Sequence, residues 1–156
     1  MRDIAAQRVV SIDELNTMME REPALDHEVD AVVRSKETEH DIVLDSRLAW
    51  HWIPGSFKVF LRLDPKTAAE RIFKQIQQEG RLSEEFKTEE EVVSSISNRL
   101  ASEKTRYQEL YGVNYLDESH YDLVVDTGRH TLPDAAHTIE TAYRKWVADT
   151  AREQAQ

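Results

Sequence analysis

The chain has 156 residues, which is one domain's worth of sequence and enough to bury a core. Its 20 basic residues against 30 acidic ones leave a net charge of −10. That excludes a protein that tracks a nucleic-acid polymer, which needs a basic stripe, but not one that holds a small phosphorylated ligand between a few arginines. The absence of cysteine excludes disulfides and thiolate metal sites, and no apolar run is long enough to span a membrane.

Met1 to Arg8 reads as the tail of a helix with no cap before it, and Met1-Arg2-Asp3-Ile4 starts no secretory signal, so the chain is expected to be soluble and cytoplasmic. Ser11-Ile12-Asp13-Glu14 is a capping box that opens a helix with Ile12, Leu15, Met18 and Met19 on its apolar face. Glu22-Pro23 ends it, and a second helix runs from Pro23 to about Arg34 behind Leu25, Val29, Val32 and Val33. The acids Asp26, Glu28 and Asp30 are expected on its solvated face. Ser11 to Asp45 holds eleven acids and three bases, so −8 of the net charge lies there.

Ile42, Val43 and Leu44 form an unbroken apolar run, the mark of a parallel strand buried on both faces. Such a strand delivers Asp45 and Arg47 to the carboxyl edge of the sheet, where open α/β folds place their ligands. Asp45 can hold a metal ion or a bound water there, and Arg47 can fork onto a phosphate. The plainer alternative is a solvated acid and a salt-bridged arginine. Trp50 and Trp52 could stack on a base, but core or lid packing is the commoner use of tryptophan. The six histidines show no paired spacing, so no zinc site is expected.

Phe57 to Leu63 is a second strand, and Asp64-Pro65 starts a helix with Ala68, Ala69, Ile72, Phe73 and Ile76 inward and Gly80 as its stop. Arg81 to Lys87 reads as a charged loop. Thr88-Glu89-Glu90-Glu91 is a second capping box, opening a long helix to Tyr111 with Gly112 after it. Its apolar stripe is Val92, Val93, Ile96, Leu100, Tyr107 and Tyr111. Arg99, Glu103 and Arg106 border that stripe at i, i+4, i+7, which puts the acid between two guanidiniums within roughly 60° of one another. Spacing alone favours an ordinary salt-bridged face; two forks held by one acid would also suit a phosphoryl group. Tyr121 to Thr127 is a third strand. The last helix carries Ala135, Ala136, Ile139, Tyr143, Trp146 and Val147 inward, giving one domain over 1–148 and a fraying polar tail over 149–156. Strands alternating with helices specify an α/β fold with a parallel sheet.

The series Arg2-Asp3-Ile4-Ala5, Ser11 to Leu15, Asp26 to Asp30, Val43 to Ala49, Ala69 to Ile72, Arg99 to Tyr107 with Tyr111-Gly112, and Tyr121 to Thr127 resembles the cytidylate kinases of the short, archaeal-like type. These belong to the P-loop nucleoside monophosphate kinases. The resemblance covers almost the whole chain and implies a three-layer parallel sheet with helices on both faces. It implies that Arg2 and Arg47 hold the monophosphate of CMP or dCMP, with Asp45 beside the Mg²⁺ that accompanies ATP. It further implies that Arg71, Arg99 and Arg106 clamp the phosphates during transfer while Glu103 positions that pair.

Two departures stand out. The family has glycine where this chain has Ser46. No G-x-x-x-x-G-K-[ST] occurs either, the glycines being Gly55, Gly80, Gly112 and Gly128. Matching members carry that loop and its strand upstream of Arg2, so the expected sheet lacks its first strands. Three readings follow: a cytidylate kinase whose N-terminal part lies outside this sequence, a nucleotide-binding relic that transfers nothing, or an interaction protein that docks a partner through an incomplete sheet. This chain alone is expected to be inactive, and the exposed apolar flanks of its open sheet to make it self-associate or be poorly stable.

Overall fold

Local signals start and stop the helices. Ser11 Oγ accepts the Glu14 amide at 3.1 Å while the Glu14 carboxylate accepts the Ser11 amide at 2.8 Å, so α2 (Ile12–Arg21) begins on a closed capping box. It follows a short α1 (Arg2–Arg8) and precedes α3 (Pro23–Arg34), whose proline sits at the first helical position. A single turn, α4 (Ala49–Trp52), leads to strand β1 (Val59–Arg62). Asp64 Oδ1 accepts the Thr67 amide at 2.9 Å and starts α5 (Pro65–Glu79). The second capping box, Thr88 with Glu91, opens α6 (Glu89–Tyr111), and Gly112 ends it in the left-handed region at φ 69°. Strand β2 (Leu123–Asp126) and the long α7 (Leu132–Gln154) complete the chain. This computed structural model describes residues 2–79 and 88–154; Gly80 and the loop from Arg81 to Lys87 lie outside the described residues.

The apolar faces pack as three clusters. Leu15 and Met19 of α2 meet Leu25 of α3 and Ala5 of α1. Ala69 of α5 meets Val92 and Ile96 of α6, with Ile72 and Phe73 around them. Leu48, Tyr107 and Tyr115 form the third cluster, and Trp50 and Trp52 pack against it, so both tryptophans serve packing. Trp50 stacks on His120 at 4.1 Å, and the Arg34 guanidinium lies 3.5 Å above Trp52. Among the described residues no helix is long and apolar enough to cross a membrane.

The sheet departs from expectation. β1 pairs in parallel with β2, from Val59 opposite Leu123 to Arg62 opposite Asp126, and these are its only two strands among the described residues. The expected strand at Ile42–Leu44 is irregular backbone, with Val43 98% and Ile42 41% exposed. A parallel strand exists only by hydrogen bonding to neighbours, and among the described residues no strand pairs with this run. Among the described residues the architecture is therefore α/β, mostly helical around a two-stranded parallel sheet, and the three-layer sheet that the resemblance implies is not shown. On α7, Ala135 is buried, but Tyr143 and Val147 of its expected inward face are 47% and 42% exposed. That helix continues to Gln154, through the segment expected to fray.

The caps give two measurable consequences. Thr88→Ala should lower stability by about 1 kcal/mol through loss of the capping hydroxyl. Gly112→Ala should cost about 1–2 kcal/mol from its left-handed backbone alone, because an added Cβ meets nothing within 4 Å. Urea unfolding followed by circular dichroism checks both.

Candidate functional site

α6 brings the charged row to the centre of the molecule. Glu103 is 1% exposed, and one of its oxygens accepts two hydrogen bonds, from Arg47 Nε at 2.9 Å and from the Tyr115 hydroxyl at 3.0 Å. Arg47 reaches it from the loop after the 42–46 segment. Its bond uses Nε alone, its side chain is 44% exposed, and its two Nη groups have no partner among the described residues. A guanidinium so held presents its fork outward.

Arg106 has other partners. Its Nε donates to Asp26 at 3.1 Å, and its Nη1 donates to Asn16 at 3.2 Å and to Ser102 at 2.6 Å. Arg106 and Asp26 are both buried, so this ion pair lies inside the contact of α6 with α2 and α3. The acids of α3 therefore divide. Glu28 is exposed and pairs with Arg8 at 2.7 Å, whereas Asp26 and Asp30 are buried, against the expectation of a wholly solvated face. Their spacing agrees with this: Asp26 stands three residues before Val29 and Asp30 three before Val33, so both border the apolar stripe of α3. Of the row inferred on α6, Glu103 pairs with Arg47 and Arg106 with Asp26.

The remaining residues are dispersed. Arg99 lines a cleft of about 400 Å³ between α2 and α6, together with Asn16, Glu20 and Asn98. Arg71 of α5 donates to the Thr127 carbonyl at 2.9 Å, which places it at the carboxyl end of β2. Asp45 is exposed on the irregular 42–46 segment, and the Ser46 hydroxyl accepts the Leu48 amide at 3.3 Å. The Arg2 side chain lies outside the described residues. Among the described residues no group of three or more His, Asp or Glu side chains converges as a metal cage.

Tyr115 was not legible in the sequence. Gly112 reverses the chain after α6, the Tyr107 and Tyr115 rings meet edge to face at 5.6 Å, and the Tyr121 hydroxyl donates to the Tyr115 carbonyl at 2.7 Å. Burial, and then the Glu103 charge, push the Tyr115 hydroxyl far above the usual phenol range, so it stays a donor at any physiological pH. Burial carries Tyr121 up to about 12 against the opposing Arg47 charge. Burial also raises the Asp26 carboxyl, a shift that the Arg106 charge opposes but does not cancel.

A family model for the cytidylate kinase-like family matches residues 1–129. The cytidylate kinase of Methanothrix thermoacetophila is 34% identical over 128 residues, covering 82% of this chain and 69% of that protein. The cytidylate kinase of Methanopyrus kandleri is 32% identical over 152 residues, covering 90% of this chain and 74% of its own length. The S-adenosylmethionine-dependent nucleotide dehydratase of Lacinutrix mariniflava is 31% identical over 139 residues, and the matched part is 87% of this chain but 27% of that protein. No solved structure matches the chain.

The buried pair predicts a pH-dependent defect. Arg106→Met leaves the buried Asp26 without its cation and should cost about 3 kcal/mol at pH 7. Removing that charge raises the folded-state pKa of Asp26 further above its unfolded value of 3.8. The folded state then binds the proton more tightly than the unfolded state, so the penalty is full above the folded pKa and shrinks as pH falls through it. Urea midpoints of both proteins at pH 7 and pH 4.5 should therefore lie closer together at the lower pH.

Proposed function

The chain belongs to the cytidylate kinase-like family, and from this premise we propose that it binds the phosphate of CMP or dCMP through Arg47 as the acceptor side of phosphoryl transfer from ATP. The observation that carries this reading is the Glu103–Arg47 pair. A buried carboxylate holds one nitrogen of a half-exposed guanidinium, and the rest of the fork is left for a ligand. Arg2, at the start of α1, joins Arg47 as a second phosphate contact. Glu103 acts by orienting Arg47. Arg106 contributes by locking α6 to α3: its Nε and Nη1 are bonded to Asp26, Asn16 and Ser102, and its Nη2 is buried without a partner.

Arg99 and Arg71 are the remaining candidates for the transferred phosphoryl group, whose spread charge calls for several convergent donors. Mg²⁺ is ordinarily held by one or two carboxylates together with substrate phosphates, and an exposed single carboxylate such as Asp45 fits that manner of binding. The ion would neutralise phosphate charge there. The 156 residues contain no G-x-x-x-x-G-K-[ST], whose amides and lysine cradle the ATP phosphates. The reading therefore assigns these residues to the acceptor and to the closing of the site, and turnover by these residues alone is expected below detection.

Titration calorimetry tests this. The chain should bind CMP, and ATP far more weakly. Arg47→Ala should weaken CMP binding about 10- to 100-fold, the loss of a charge-assisted contact. No CMP binding, or ATP bound as tightly as CMP, would overturn the reading. So would magnesium-dependent ADP formation by this chain in a coupled assay.

A further inference from the structure

The acceptor reading leaves Tyr115 without a role, yet the fold goes to some length to place it. α6 ends at Gly112, whose left-handed backbone turns the chain back along the helix it has just left. Three residues later Tyr115 is 2% exposed beneath Glu103, two helical turns above the cap. Its hydroxyl and Arg47 Nε both donate to the same oxygen of Glu103, at 3.0 Å and 2.9 Å. Its ring also stands 5.7 Å from the Arg47 guanidinium, and its backbone carbonyl is pinned by the Tyr121 hydroxyl at 2.7 Å.

An ordinary core tyrosine would need one partner for its hydroxyl, and water or a backbone carbonyl would serve. Here the partner is the carboxylate that holds Arg47. Glu103 has rotatable bonds between α6 and its charge, and Arg47 alone could pull the carboxylate through a range of positions. A second donor on the same oxygen removes that freedom. We propose that Tyr115 is a positioning residue of the acceptor site, fixing the Glu103 carboxylate so that Arg47 is held ready for a nucleoside monophosphate. The inference rests on the reading of Arg47 as the phosphate contact, but the ordering of Arg47 can be measured without any ligand.

The experiment compares the chain with its Tyr115→Phe variant, which keeps the ring and removes only the hydroxyl. Arginine side-chain ¹H–¹⁵N spectra report the Arg47 Nε–H directly. In the unaltered chain it should be ordered and slow to exchange; in Tyr115→Phe it should exchange about tenfold faster. CMP affinity should fall roughly three- to tenfold, and Tyr115→Phe should weaken binding no further in an Arg47→Ala background, because the two act as one unit. Thr88→Ala, which loses stability at the far end of α6, should change neither the Arg47 signal nor CMP binding, and so separates positioning from a general loss of stability. An Arg47 Nε–H as protected in Tyr115→Phe as in the unaltered chain would overturn the proposal. If the unaltered chain binds no CMP, the acceptor reading falls, and the Nε–H comparison still decides whether Tyr115 orders Arg47.

Discussion

A carboxylate buried to 1% exposure inside an aromatic and aliphatic cluster is the constraint around which this molecule is arranged. Taking such a charge out of water costs several kcal/mol unless it is met by a cation and by hydrogen bonds with good geometry. Glu103 is met by Arg47 and Tyr115, which come from opposite directions in the chain. Arg47 lies 56 residues before it, Tyr115 twelve after. Satisfying Glu103 therefore brings the loop ahead of α4 and the segment after α6 to the middle of one helix. Leu48, next to Arg47, and Tyr107, one turn after Glu103, then close the apolar wall around the charge.

The second buried ion pair, Asp26 with Arg106, does for α3 what Glu103 does for the loops. It fixes how α3 meets α6, and Asn16 and Ser102 bring α2 into the same contact. The two basic groups are thereby sorted by environment. Arg106 has its charge neutralised inside the molecule, while Arg47 keeps part of its guanidinium in water. Arg47, with its side chain 44% exposed, is open to a phosphate from solvent, whereas Arg106, at 8%, is enclosed. This sorting distinguishes the arginine that is open to solvent from the one that holds the scaffold.

The sheet side is looser. Val43, Ile42, Leu61 and Leu132 are exposed, and α7 leaves Tyr143 and Val147 partly in solvent although Phe57 and Trp146 pack nearby. Apolar surface of this extent carries no stabilisation until something covers it. The helical half, with its buried ion pairs and three apolar clusters, supplies most of the burial among the described residues.

The sequence by itself determined the helices. Capping boxes at Ser11 and Thr88, Pro23 at the first position of α3 and Gly112 after α6 act through bonds within a few residues, so their outcome needs no tertiary context. The inward faces of α5 and α6 were legible for a related reason, since periodicity fixes a face once the element is known, whereas of the sheet only its parallel sense was expected. The family was legible from a series of short matches in order. What only the tertiary structure decided is partnership. A strand is defined by its neighbours, and Ile42–Leu44 has the composition of one without a neighbour among the described residues. A buried acid differs from a solvated one by whether a cation arrives from elsewhere, which separates Asp26 from Glu28 and joins Glu103 to Arg47 and Tyr115. These pairings join residues as much as eighty positions apart, and no local pattern encodes which charge will meet which.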